Sequence, residues 1–326
     1  MTTNTIGTSQ VSVSPLTLGT FAIGGFMWGG NEKKDSIEAI GAAIDNGISS
    51  IDTAPVYGFG LSERIVGEAI KPYDRSKVQL LTKFGLVWGK EANGDFFFEG
   101  EENGHTFPVW RNGKKESVIR EVEASLKRLQ TDYIDLIQLH WPDPLTPISE
   151  TMEAMSRLLE QGKVRAIGVS NYQTGQLEEG LKTTTIHSNQ VPYSMLNRSI
   201  ETGLIPFALE HRIGIIAYSP LERGLLTGKY SSQARGLSQT DHRNSYFQKF
   251  DERTLKALLH TLEDIAASYQ CSVTQLVLAW TMAQKGITTV LGGARNRAQA
   301  EHNARALQIS LREHDQESIR LFLQQL

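Results

Sequence analysis

Eight short β-prone runs recur along this chain, and nearly all are separated by segments whose apolar residues fall at helical spacing. That alternation constrains the fold more than any other feature, because parallel strands need long crossovers and helices supply them. The runs are read at residues 16–19, 51–53, 78–82, 133–140, 164–169, 187–191, 213–218 and 287–291. Between them, Ile37, Ile40 and Ile44 share one helical stripe, with Asp35 or Ser36 placed to cap it and Gly47 to close it. Val118, Val122, Leu126 and Leu129 mark a helix over 116–129, and Met152, Met155 and Leu158 mark another that stops at Gly162. A weaker pattern at 176–181, a short helix after Pro206, a long amphipathic run from Leu255 to Tyr269 and a helix over 273–283 follow.

A (β/α)8 barrel core of roughly 250 residues would leave about 75 of the 326 for extra loops and termini. The expected architecture is therefore α/β, a (β/α)8 TIM barrel with extended loops at its C-terminal face. No Pro/Ser-rich linker or composition break divides the chain, so residues 1–326 are read as a single domain. A doubly wound open sheet is the alternative; against it, no G-x-G-x-x-G follows any strand, and Gly58-Phe59-Gly60 lacks the third glycine.

In a barrel, chemistry gathers where strands end, and the polar residues there are few: Asp52, Tyr57, Lys83 and His140. Singly, each has an ordinary explanation, as a cap, a packed loop aromatic, a snorkelling lysine or a satisfied histidine. Together they are less ordinary, because Lys83 and Asp52 share a low-dielectric mouth and an unpaired charge there is costly. An ammonium held against a phenol favours the phenolate, so Lys83 is expected to lower the Tyr57 pKa from about 10 and make it a proton donor near neutral pH. A neutral histidine can orient a carbonyl oxygen, and such a site calls for a hydride donor.

Competing chemistries find little support. There is no H-E-x-x-H, G-x-S-x-G or P-loop, and the segment GVSNY at 168–172 lacks the second glycine of a nucleophile elbow. The single cysteine, Cys271, excludes an intramolecular disulfide and any multi-thiolate metal site, and it accords with a cytoplasmic location. With 33 Lys+Arg against 36 Asp+Glu, the net charge of -3 gives no electrostatic case for nucleic acid or an anionic membrane. The polar start MTTNTIGTSQ is not read as a signal peptide, and no apolar stretch approaches the roughly 18 residues of a membrane span.

Several longer motifs stand in one order: IDTAPVYGFGLSE at 51–63, LTK at 81–83, QLHWPD at 138–143, IGVSN at 167–171 and YSPLERGLLTGK at 218–229. With these, nearly the whole chain resembles the aldo-keto reductases, particularly their bacterial stress-protein and inositol-operon branches, from a hairpin-like start to Asn303. The resemblance implies an N-terminal β-hairpin and a catalytic tetrad of Asp52, Tyr57, Lys83 and His140. Tyr57 would be the general acid, Lys83 its activator, Asp52 the support of Lys83, and His140 the group that orients the carbonyl. It also implies a nicotinamide cofactor bound on the barrel, NADP(H) preferred and NAD(H) possible, which accounts for the missing dinucleotide fingerprint.

By the same resemblance, Thr20 and Asp52 lie near the cofactor, Ser170, Asn171 and Gln190 meet the nicotinamide carboxamide, and Tyr218 stacks on its ring. Ser219, Pro220, Leu221, Arg223, Gly224 and Lys229 form the loop around the pyrophosphate, where glycine permits close backbone approach. Arg243 belongs to a loop that closes over the cofactor. Gly293, Arg295, Gln299 and Asn303 serve the adenosine end, with Arg295 the candidate for the extra phosphate of NADP. His302 stands where many relatives carry an acidic residue, a departure that bears on the adenine contact.

Trp28, Trp88, Trp110 and Trp141 are read as substrate-lining aromatics, with Phe96, Phe97 and Phe98 near them, and the loop over 85–115 as a lid or binding segment. The expected partner is a small-molecule carbonyl or polyol, handled by a monomer or small homo-oligomer. The alternative from another class is a nicotinamide-binding, redox-sensing regulatory subunit with little turnover. A third reading is a phosphate-binding barrel of different chemistry.

Overall fold

The computed structural model describes residues 2–25, 32–102, 104–228, 246–248 and 250–325. All eight expected runs are strands: β1 (Leu16–Gly19), β2 (Ser50–Asp52), β3 (Gln79–Phe84), β4 (Ile134–Leu139), β5 (Val164–Ser170), β6 (Ser188–Pro192), β7 (Gly214–Tyr218) and β8 (Ile287–Gly293). They close in chain order into a parallel barrel, β8 meeting β1 from Val290 opposite Leu16 to Gly293 opposite Gly19. Helices cover the outside and side chains fill the inside, so a strand such as β4 is buried at every position.

The helices are α1 (Lys33–Asp45), α2 (Leu61–Ala69), α3 (Lys115–Leu129), α4 (Ile148–Glu160), α5 (Thr174–Leu181), α6 (Leu204–Glu210), α7 (Glu252–Ser268), α8 (Val273–Met282), α9 (Arg297–Ala304) and α10 (Glu313–Leu323). Helix α1 starts before the expected cap: Glu32 is its N-cap, and Ser36 instead turns its hydroxyl back to the Glu32 carbonyl at 3.1 Å. Gly47 and Gly162 do follow their helices, both at positive φ. Helices α2, α9 and α10 have no counterpart in the periodicity reading. In α2 the reason is Gly67, where an added Cβ would lie 2.6 Å from the Leu129 carbonyl oxygen, so a helix-weakening residue is retained to let α2 approach α3.

An antiparallel hairpin, Asn4–Thr5 with Ser12–Val13, closes the N-terminal end of the barrel. Its Ile6, Val11 and Val13 pack on the inward-facing Leu81, Leu136, Ala166 and Ile216. That plug leaves the C-terminal end for chemistry.

The segment over 85–115 is not a loop but largely an antiparallel sheet of Leu86–Val87, Asp95–Glu102 and His105–Arg111. Its apolar-aromatic residues, dense enough to pair across strands, explain the difference. Entry and return meet at Gly85, immediately beyond β3. The Gly85 N–H donates to Glu121 Oε2 at 2.9 Å, and the Asn112 N–H donates to the Gly85 carbonyl at 3.1 Å. Glu121, which also accepts the Ser117 hydroxyl at 3.0 Å, is pushed by burial up to about 7.

Candidate active site

Three strand ends and the turn after one of them deliver the tetrad to one place. Asp52 ends β2, Lys83 lies opposite Gln138 near the end of β3, and His140 follows β4 with its N–H donated to the Phe84 carbonyl at 2.9 Å. Tyr57 comes from the turn between β2 and α2. That turn is pressed against the β1 loop, since a Cβ on Gly58 would lie 2.2 Å from the Gly24 carbonyl oxygen and one on Gly24 would lie 2.5 Å from the Tyr57 carbonyl carbon. Two glycines back to back thus set the height of the tyrosine.

Lys83 is 0% exposed and Asp52 1%. An ammonium so placed must be paired. It donates to Asp52 Oδ1 at 2.5 Å and to the Thr53 carbonyl at 2.9 Å, and it lies beside Tyr57, whose ring centroid is 5.1 Å from Nζ. The second Asp52 oxygen accepts Gln190 Nε2 at 2.9 Å. Burial pulls the Lys83 pKa down, but Asp52 and Tyr57 together carry it above its ordinary value, so the lysine is charged.

Tyr57 departs from the expected titration. Burial raises its pKa above 10; Lys83 pulls the other way and does not prevail, because Asp52 beside it cancels part of its field. The phenol is accordingly the protonated form at neutral pH. His140 stands edge-on to Tyr57, ring centroids 5.8 Å apart, and burial followed by the Lys83 charge drives its pKa well below 6.5. It is a neutral imidazole.

Around this group, Thr20 donates to the Asp52 carbonyl at 2.9 Å and accepts the Ser62 hydroxyl at 2.8 Å, bracing β1 against β2. Ser170 and Gln190 lie opposite each other on β5 and β6, with the Ser170 hydroxyl on the Gln190 carbonyl at 2.8 Å. Asn171, at φ 64°, donates to the His140 carbonyl at 3.1 Å and accepts the Tyr218 hydroxyl at 2.9 Å. The amide therefore ties the histidine to the aromatic ring that ends β7. Beyond Tyr218 the backbone turns through Ser219, Pro220 and Leu221, and Ser219, Glu222, Arg223 and Gly224 all adopt positive φ. Lys229 and Arg243 lie outside the described residues.

At the end of β8, Gly293 is exposed, while Gln299 and Asn303 turn inward to hold the junction. Gln299 Oε1 accepts the Arg295 N–H at 2.9 Å, and Asn303 Nδ2 donates to the Gly293 carbonyl at 3.0 Å. His302 is hydrogen-bonded through Nε2 to the Ser272 hydroxyl at 2.8 Å, at the cap of α8. That side chain is engaged with the capping box there, a tertiary contact invisible to motif comparison.

The aromatics separate. Trp88, Phe97, Phe98 and Trp141 pack with Tyr57 around Ala54, Val56, Phe59, Leu86 and Val109. Phe97 and Trp141 stand 5.4 Å apart, centroid to centroid. Trp110 does not join them: adjacent to the inward Val109, it takes the other face of the sheet and pairs with Phe96 at 5.7 Å. Trp28 lies outside the described residues. Sequence reasoning missed Phe21, 37% exposed, whose ring lies 4.9 Å from that of Tyr57; its position just after Thr20 at a strand end was the available signal.

In order across the mouth lie a proton-bearing phenol with a buried cation, two amides and a hydroxyl, an aromatic face, a glycine-bearing backbone run and a helix start beside Arg295. That donor set fits a nicotinamide dinucleotide: amides and hydroxyl for a carboxamide, a ring for a ring, backbone and cation for phosphates. Among the described residues no group of His, Cys, Asp and Glu could hold a metal ion, and no helix is long and apolar enough to cross a membrane.

A closed parallel barrel with this mouth defines a class of oxidoreductases. The chain belongs to the aldo-keto reductase family, whose family model, Aldo/keto reductase family, matches residues 15–323, and whose members act on small-molecule carbonyl compounds. Aldo-keto reductase YhdN of Bacillus subtilis is 41% identical over 98% of this chain and 92% of its own length. The NADH-specific methylglyoxal reductase of Escherichia coli is 37% identical over 95% of this chain and 94% of its own. Among solved structures, the glycerol dehydrogenase AKR11B4 from Gluconobacter oxydans matches with TM-score 0.88 and 35% identity, over 99% of this chain and 95% of that one. An aldo/keto reductase from Klebsiella pneumoniae in complex with NADP and acetate matches with TM-score 0.72 and 28% identity, over 99% and 96%.

Proposed function

We propose that the protein is an NADP(H)-dependent oxidoreductase, able to use NAD(H), that reduces an aldehyde or ketone to an alcohol or oxidises a polyol or sugar in reverse. The observation that carries this reading is Lys83, a buried ammonium bonded to Asp52 and the Thr53 carbonyl and lying against Tyr57, beside a neutral His140. When bound, the reduced nicotinamide supplies a hydride to the carbonyl carbon. Tyr57 holds the proton that the carbonyl oxygen takes up, and burial keeps that proton in place through the neutral range. His140, uncharged, donates a hydrogen bond that orients the oxygen. Lys83 balances the phenolate left behind, and Asp52 balances Lys83.

The relative described as NADH-specific and the neighbour solved with NADP support both cofactors, and Arg295 beside the start of α9 supports the phosphorylated one. Thr20, Asp52, Ser170, Asn171, Gln190, Tyr218 and the 219–224 loop are proposed as the nicotinamide and pyrophosphate side, with Gly293, Gln299 and Asn303 shaping the adenosine side. Trp88 and Trp141, packed with Tyr57, are the proposed substrate aromatics. The single cysteine supports a cytoplasmic location, and the reading takes 1–326 as one functional domain. The intact tetrad favours turnover over a sensing role. The test is NADPH oxidation with an aromatic aldehyde: Tyr57→Phe lowers turnover by on the order of a hundredfold or more while NADPH still binds. Turnover surviving in that variant refutes the assignment of the acid.

A further inference from the structure

The loop leaving β7 contains a buried acid that the reaction above does not use. Glu222 is 2% exposed and sits at φ 47°. One of its oxygens accepts the hydroxyl of Ser194 and the other the hydroxyl of Tyr246, both in short hydrogen bonds. Ser194 in turn accepts the N–H groups of Leu196 and Asn197, at 3.1 and 3.0 Å, closing the turn beyond β6. Arg223 lays its guanidinium over the Tyr246 ring, 4.1 Å from the centroid. A single carboxylate thus joins three stretches of chain: the turn after β6, its own loop after β7, and the segment at Tyr246.

The chemistry of the joint is directional. A carboxylate only accepts, so both hydroxyls must donate to it, and neither can rotate away without leaving a buried charge unpaired. Such a tie is what the loop needs, because Ser219, Glu222 and Arg223 are non-glycine residues held in the left-handed region, a conformation that persists only where the surroundings impose it. Tyr246 does two things at once, its hydroxyl fixing the acid and its ring face fixing the neighbouring cation. Charge balance follows as well: Arg223 adjoins Glu222, so the acid is not left to repel an anion.

We infer that Glu222 is a positioning residue, which through Ser194 and Tyr246 holds residues 219–224 in the shape that receives the phosphates of the dinucleotide. The inference rests on the cofactor reading above for the identity of the ligand, and on the hydrogen bonds alone for the brace.

Two variants separate these parts. Tyr246→Phe removes the hydroxyl and keeps the ring under Arg223; Glu222→Gln keeps the size and removes the charge. Hydrogen exchange of the ligand-free proteins reads the brace, and NADPH and NADH titrations by fluorescence read the ligand. In Tyr246→Phe, amide exchange over 219–227 accelerates about tenfold and the NADPH Kd rises about tenfold, as for loss of a hydrogen bond to a charged group. The steady-state effect falls on KM for NADPH, with kcat at saturation within about twofold of the parent. Glu222→Gln shifts both readouts the same way, and the double variant adds little, because the two residues form one contact. Unchanged exchange in both variants overturns the brace, whatever the ligand. Faster exchange with unchanged NADPH affinity overturns its role in cofactor binding. A parent protein that binds neither NADPH nor NADH overturns the cofactor reading itself, and the phosphate role with it, while the exchange data still decide the brace.

Discussion

Replacing Glu121 by glutamine isolates a group whose titration opposes folding near neutral pH. Its carboxyl caps the Gly85 N–H and accepts the Ser117 hydroxyl, two residues beyond Lys83 and at the root of the antiparallel sheet that carries the mouth aromatics. Burial raises it from 4.5 to about 7, so the folded protein binds this proton more tightly than the unfolded chain does. Where the native state holds the extra proton, between about 4.5 and 7, stability falls as pH rises, and above 7 the loss is complete. At 1.36 kcal/mol for each tenfold change in proton affinity, the ionised side chain costs the folded state up to about 3 kcal/mol. Glutamine retains an acceptor for Gly85 and cannot ionise. Parent and variant should therefore converge in stability as pH is lowered toward 4.5, and at pH 8 the variant should unfold on the order of 5 °C higher. Paired thermal melts across that range provide the assay, and every other titrating group cancels between the two proteins. A stability difference independent of pH, or a variant less stable at pH 8, refutes the raised carboxyl and the burial argument behind it.

Three further outcomes follow from the same physics. Asp52→Asn leaves the Lys83 ammonium buried without its counter-charge and should lower stability by about 3–5 kcal/mol in urea unfolding; a loss below about 1 kcal/mol would mean that the lysine is not charged as described. His140, held neutral by burial and by Lys83, should show no imidazole titration between pH 6 and 8 in ring nitrogen NMR spectra. Arg295→Ala should raise the KM for NADPH by about tenfold and leave that for NADH within about twofold, and equal effects on both would remove Arg295 from phosphate recognition.

The barrel was legible because its cause is local and repeated. Eight β-prone runs separated by amphipathic segments admit few closures, and the polar residues at Asp52, Lys83 and His140 stand out against the apolar strands that carry them. Other features were not legible, for reasons specific to each. Helix α2 contains Gly67, which looks like a break until α3 is seen to press on it. The sheet at 85–111 forms by pairing across a turn, and only that register turns Val109 inward and Trp110 outward. His302 is engaged by Ser272, thirty residues away in sequence.

What the sequence by itself determined is therefore the order and type of the barrel elements and the chemical identity of the tetrad, since both depend on residue type and spacing along the chain. Only the tertiary structure decided how those groups titrate. Lys83 beside a phenol argues for a lowered Tyr57, but enclosure of the hydroxyl and the nearness of Asp52 reverse the direction. The same holds for Glu121, an ordinary acid in the sequence that becomes a pH-sensitive contact, while packing alone makes Glu222 a buried brace. A proton's affinity and a hydrogen bond's direction depend on what surrounds a side chain in space, and that environment exists only once the barrel has closed.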